Sequence, residues 1–392
     1  MSRSNPVEDV TPSPPQPPSS PGVDPRSVAV VATMLVFVAF LVAGLMVQPL
    51  NIAFGIWFTE IFVFLGLGWF VLRATGRNPG RYTGLSFPDL APAVFGFLLG
   101  TVNFFAVVAP IQYISQLLMP KSWREIYDMA GIFQGQTAVE LAFIVASVSV
   151  AAPVCEEFFF RGILLQGLKV PGRTAGNPAS RAILISAVVF SAFHLDPVGF
   201  LARVELGVLF GWLFLRTGSL WPGILAHSAN NLVSTVLFFA AKQFESPRES
   251  TPREELLSIL VFVVLGSGVL AGLMTAANRF PRLLGGPVRP DEAPEGPVHL
   301  EPMAKLLRLA SPWMFAAALS LGSYVALDPR GIELSAFDRD YPLRSVPQDA
   351  PDALHAEREA LYELRIRARR GDIPLEAYMQ ERVRQSKQKR LP

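Results

Sequence analysis

The chain holds a single cysteine, Cys155, so no intrachain disulfide can staple it. Charge is scarce too: only 17% of its 392 residues are Asp, Glu, Lys or Arg, against 51% hydrophobic. An ordinary soluble domain carries about 25% charged residues, so a freely soluble fold of this size is excluded. A net charge of +2 supplies no basic surplus, and no nucleic-acid partner is expected. Histidine is rarer still, with four in the chain, so the placing of each is informative. No internal repeat is visible, which speaks against the inverted-repeat transporters.

What is present is a series of apolar blocks, several long enough for the roughly 20 residues that cross a bilayer as a helix. They lie at about Val28–Met46, Ile52–Leu72, Leu90–Leu118, Ala138–Leu168, Ala182–Leu195, Phe200–Leu215, Gly223–Ala241 and Leu256–Ala277. A weaker ninth block, Leu309–Leu327, can either span or lie on the membrane. The expected fold is therefore all-α: a polytopic membrane bundle of about eight transmembrane helices, with lipid as its solvent. Residues 1–26 form a Pro- and Ser-rich leader that cannot bury enough surface to order itself. The first apolar block is preceded by that leader and followed at once by another span, so it reads as a retained helix and not a cleaved signal peptide. The bundle runs over 27–278 with a catalytic core at 138–236, followed by a Pro/Gly linker at 279–304, the ninth block within 305–327, and a charged tail at 328–392. Pro153, inside the thirty-odd residues of the fourth block, predicts a kink one turn before Glu156.

Arginines 73, 77 and 81, then 173 and 181, then 216, then 279, 282 and 289 fall in alternate loops. The positive-inside rule makes those loops and the N-terminus cytoplasmic, in a bacterial plasma (inner) membrane. A ninth span would carry the basic tail to the other side.

The chain is organised around Cys155 to Gly162, C-E-E-F-F-F-R-G, within the fourth block. A charge at the bilayer centre costs about 2.5–3.5 kcal/mol on the gentlest scale, so Glu156, Glu157 and Arg161 must face protein or water. Glu157 and Arg161 are four apart and share a helix face, whereas Glu156 points roughly 100° away. Two of the four histidines, His194 and His227, also fall in apolar blocks; Phe190 sits one turn before His194, and Asn231 one turn after His227. Three separate helices thus offer polar groups to one interior. A carboxylate and an imidazole suit the activation of water, and a second imidazole with a carboxamide suits a tetrahedral oxyanion. Alternatively Glu156, His194 and His227 are three ligands for zinc or another divalent metal with an open fourth position. Their spacing differs from H-E-x-x-H, so the pattern leaves both chemistries open.

Glu156-Glu157-x-x-x-Arg161, Phe190-x-x-x-His194 and His227-x-x-x-Asn231, in that order, resemble the signature of the CPBP family. Its members are intramembrane proteases related to the type 2 CAAX prenyl endopeptidases and to bacteriocin-immunity Abi proteins. The resemblance covers roughly Ala138 to Val236. It implies a helical core around a wet cavity and hydrolysis of a peptide bond in a membrane-associated, prenylated CAAX-type protein or peptide. It further implies that Glu156 and His194 activate water. His227 and Asn231 would stabilise the oxyanion, or His227 would complete a metal site. Arg161 would hold Glu157. Other classes fit the same residues: a silent scaffold or immunity-type protein that keeps them for packing, or a proton-coupled transporter that uses them as a relay. Cys155 neighbours Glu156 but faces elsewhere. Glu60, Arg203 and Glu205 are further intramembrane charges that either line the cavity or pair with each other. Phe158, Phe159 and Phe160 read as core- or lipid-facing bulk.

Overall fold

The computed structural model describes residues 23–85, 90–134, 136–169, 177–243, 251–284, 299–343, 346 and 350–387. The first 22 residues of the leader, and most of the linker at 285–298, lie outside the described residues. Every long element is helical: α1 (Pro25–Met46), α2 (Ile52–Ala74), α3 (Leu90–Leu118), α4 (Ala138–Leu168), α5 (Pro178–Phe193), α6 (Phe200–Thr217), α7 (Trp221–Gln243), α8 (Pro252–Arg279) and α9 (Met303–Leu327). Seven of them, all but α5 and α6, contain a stretch long and apolar enough to cross a membrane. Large apolar side chains stand exposed on the outer helices, among them Leu265 (64%) on α8 and Met314 (68%) on α9. In water such a surface would aggregate; in a bilayer it is the lipid contact. The protein is an integral-membrane helical bundle.

The fifth and sixth expected spans differ from the rest. At about 1.5 Å per residue, the 16 residues of α5 give about 24 Å, short of the roughly 30 Å hydrocarbon core. α6 has 18 residues but carries Arg203, Glu205 and Arg216. The two pack as a hairpin at a glycine contact: a Cβ on Gly207 of α6 would run into Ala187 of α5.

Pro153 acts differently from the simple kink expected of it. The turn before it, Ser147–Ala151, opens into a π-helix, and α-helix resumes at Ala152. Proline has no N–H and its ring crowds the carbonyl four residues back, and a wide turn relieves both. The same pairing recurs in α3, where the π segment Phe104–Val108 precedes Pro110.

The core around the motif helix is aromatic. Phe158, Phe159 and Phe160 are fully buried, and Phe160 meets Phe64 of α2 and Phe193 of α5 at 5.8 and 5.1 Å between centroids. On the other side α3 presses α7 into place: a Cβ on Gly96 or Gly100 would overlap the backbone of Pro222 or Ala226. This small-residue seam fixes the helix that bears His227.

The ninth block forms a helix long and apolar enough to span. Glu301 N–H donates to Ala74 O at one end of α2 (2.9 Å), Trp313 Nε1 to Phe62 O midway (3.4 Å), and Tyr324 Oη to Leu50 O beyond the other end (3.4 Å). α9 therefore runs the whole length of α2, and the tail emerges at the Val47–Asn51 end, opposite the start of α1. There it folds into three helices, α10 (Pro329–Asp340), α11 (Asp352–Arg370) and α12 (Leu375–Lys387), around Leu334, Leu361, Ala368 and Tyr378. Gly371 closes α11 at φ 88°, a backbone state that only glycine adopts without cost. Arg369 ties this unit to the bundle by bonding both Asp328 and Glu140, the latter in the capping box at the head of α4. Burial pushes the Asp328 carboxyl up, but hydrogen bonds from Arg369 and Tyr324 outweigh it and hold Asp328 below the usual range.

Candidate active site

The two glutamates of α4 take different environments. Glu157 is 1% exposed and Arg161 is fully buried, joined at 2.8 Å between Oε1 and Nη1. The guanidinium also donates to Gly207 O at 3.1 Å and lies over the rings of Phe190 (4.6 Å) and Phe210 (5.3 Å). Such a set neutralises the charge without water. Glu157 Oε1 has a second donor, His227 Nδ1 at 3.2 Å. A carboxylate only accepts, so Nδ1 carries the proton and Nε2 of a neutral His227 is left with its lone pair.

That lone pair faces Glu156. Nε2 stands 3.9 Å from Glu156 Oε2, too far for a direct hydrogen bond, and Oε2 is buried without a partner among the described residues. Two acceptors at this spacing, one of them orphaned, suit a single water donating to both. The His227 ring is clamped by Phe210, stacked at 4.9 Å, and by Phe190, edge-on at 5.8 Å.

His194 is not inside its helix as its apolar block suggested. α5 ends at Phe193, and His194 caps it as the chain turns through Leu195 at φ 52° toward Asp196-Pro197. The residue before proline is driven out of helical geometry, so the block stops early. His194 is exposed, and Phe190, 5.1 Å from it, joins its ring to that of His227. Its Nδ1 meets Phe190 O at 3.0 Å; a carbonyl only accepts, so here too Nε2 keeps the lone pair. Asn231 is held from α7 across to the π turn of α4, donating Nδ2 to Val148 O at 2.8 Å and accepting from Asn230 at 3.1 Å. One Nδ2 hydrogen remains.

Among the described residues no three His, Cys, Asp or Glu side chains are grouped so as to hold a metal ion. Glu156 and His227 face each other, but His194, at the α5–α6 turn, is not gathered with them as a third ligand.

The remaining charges resolve one by one. Arg203 and Glu205 do not pair with each other: Arg203 binds Asp196 at 2.6 Å, and Glu205 accepts from Asn103 at 2.9 Å. Their side chains leave α6 on different faces, so each finds its nearest complement. Asp196 also accepts from Val198 N–H at 2.8 Å, which fixes the turn between α5 and α6 that holds His194. Glu60, on the π segment of α2, is buried with Oε2 unpartnered, within electrostatic range of Glu156. Cys155 is buried. Sequence reasoning missed Phe210 and Gly207: neither belongs to a motif, and only the folding of α6 onto α4 brings them to the site. Asp196 had a signal, a short acidic side chain just ahead of a helix, but reads more readily as a stop.

Residues 138–233 match the family model for type II CAAX prenyl endopeptidase, Rce1-like. A curated Bacillus subtilis (strain 168) protein named "Putative membrane peptidase YdiL" is 32% identical over 116 residues, 29% of this chain and 44% of the relative. The chain thus spans less than half the length of that relative. No solved structure matches it. The three motifs lie within the segment that the family model matches, so the likeness to the CPBP family falls on the helices that carry the site.

Proposed function

We propose that the protein is an intramembrane endopeptidase that hydrolyses a peptide bond of a membrane-associated protein, with prenylated CAAX-type chains as the substrate class. A water donates to Glu156 Oε2 and His227 Nε2, which leaves its lone pair for the carbonyl carbon of the substrate. As the C–O bond forms, Glu156 takes the proton and the carbonyl oxygen becomes an oxyanion. The remaining Asn231 N–H donates to that oxyanion. His194 Nε2 accepts from a substrate N–H and orients the scissile bond. The tetrahedral intermediate collapses, the C–N bond breaks, and Glu156 returns its proton to the leaving nitrogen. Glu157 keeps His227 in the needed tautomer, and Arg161 keeps Glu157 ionised and fixed; both are positioning residues. No step is routed through a metal ion.

The observation that carries this reading is the orphaned Glu156 Oε2, 3.9 Å from His227 Nε2 and buried in the bundle. A family likeness over the same residues supports it. The test uses the full chain in lipid nanodiscs with a quenched fluorescent peptide ending in a farnesylated Cys-aliphatic-aliphatic-X sequence, beside the same peptide without the prenyl group. Cleavage by the wild type, lost in Glu156→Gln and His227→Ala, is the expected result. Undiminished cleavage by Glu156→Gln would overturn the assignment. A preference for the unprenylated peptide would overturn the substrate class alone.

A further inference from the structure

A cavity of about 240 Å³ lies between the C-terminal helical unit and the turn joining α1 to α2. It is outside the family-matched segment and away from the motif residues. Glu140, held by one of its arginines, precedes Glu156 by 16 residues on α4, about 24 Å of helix.

One wall is cationic. Arg365 and Arg382 flank Asp338: Arg365 Nε donates to its carboxylate at 2.7 Å, and Arg382 Nε stands 3.5 Å from it. Their other bonds are neutral, from Arg365 to Ser335 Oγ at 3.2 Å and from Arg382 to Tyr341 O at 2.8 Å. Two guanidinium groups thus share one carboxylate, and their local excess is balanced overall by the two carboxylates on Arg369. Each keeps a terminal nitrogen without a partner among the described residues. The third arginine, Arg369, is committed to Asp328 and Glu140. Carboxamides, including Gln134 and Gln136, line the cavity as well and add neutral donors.

The position narrows the ligand. The cavity sits where α1 ends, α2 and α4 begin and α9 passes into the C-terminal unit, the end of the bundle where helices that cross a bilayer meet its headgroups. Paired arginine forks with open N–H donors match the oxygens of a phosphate better than any neutral polar group.

We propose that this cavity binds a phosphate anion, either free or as the headgroup of an anionic phospholipid. The test uses the full chain. In phospholipid-free detergent, inorganic phosphate is titrated against chloride of equal ionic strength while thermal unfolding is followed. In a second arm, native mass spectrometry counts phosphatidylglycerol against phosphatidylcholine retained from mixed nanodiscs. Stabilisation by phosphate assigns the free anion; selective retention of phosphatidylglycerol without it assigns the headgroup. In either arm Arg365→Gln should weaken binding about tenfold, the loss of roughly one charge-assisted hydrogen bond. Because Arg365→Gln also disturbs Asp338, Gln136→Trp serves as a second variant that fills the cavity and leaves the arginines alone; it should abolish binding in a folded protein. No effect of phosphate and no lipid selectivity, or an effect that survives Gln136→Trp, would refute the proposal.

Discussion

Replacing Glu157 by Gln separates structure from chemistry at this site. Among the described residues Glu157 carries the only carboxylate hydrogen-bonded to Arg161, and Arg161 is fully buried between two phenyl rings. The amide keeps the shape but removes the charge, which leaves a guanidinium stranded in an apolar core. Breaking a buried pair in this way costs about 3–5 kcal/mol. Glu156→Gln is the counterpart. Its Oε2 has no partner among the described residues, so there is no such pair to break, and stability should change by roughly 0.5 kcal/mol or less. Its activity should nevertheless fall by about 10²-fold or more, the usual worth of a general base. Reversible unfolding in mixed detergent micelles gives the first quantity and peptide cleavage the second. The reasoning fails if the two variants lose equal stability, or if Glu157→Gln unfolds at the wild-type midpoint.

Further predictions concern the frame around the site. Gly100→Val should force α7 off α3 at a cost of about 1–3 kcal/mol and lower turnover by displacing His227, read by unfolding and cleavage together. In a Cys155→Ala background, Arg73→Cys and Asp340→Cys should label with membrane-impermeant maleimide from opposite faces of sealed vesicles; labelling from one face would mean that α9 does not cross. Asp328 is held below its ordinary value, so its contribution is present above the unfolded value of about 3.9 and lost as pH falls through the folded one. Acid below about pH 4 should therefore loosen the C-terminal unit, seen as faster amide exchange in α11, and Asp328→Asn should loosen it already at neutral pH.

The parts legible in the sequence were those written locally. Seven apolar stretches announce their helices by length, and the carboxylates and imidazoles stand out because charge in lipid is costly. The depth of α5 and α6 was harder to read: the apolar pattern runs on to Leu195, but the turn is set by Asp196-Pro197 and a left-handed residue. The pairing of Glu157 with His227 was not visible, because it joins residues 70 apart whose azimuths depend on wide turns in the intervening helices. The docking of the tail was hidden for the same reason, since Arg369 and Glu140 lie 229 positions apart. The resemblance implied that Glu156 and His194 act together on water; the nearness of His227 Nε2 to Glu156 Oε2, at 3.9 Å, had no counterpart in that reading.

The two π turns of α4, Ser147–Ala151 and Phe160–Leu165, bracket Glu156 and Glu157. Each wide turn houses one residue more than a regular coil, equivalent to about 100° of azimuth. Excising Val150 would thus swivel α4 by about a quarter turn relative to the segment before it, swinging both acids off their bearing while leaving every motif letter in the gene untouched. Length variation in that stretch, invisible to a motif search, would silence the chain as surely as losing a carboxylate.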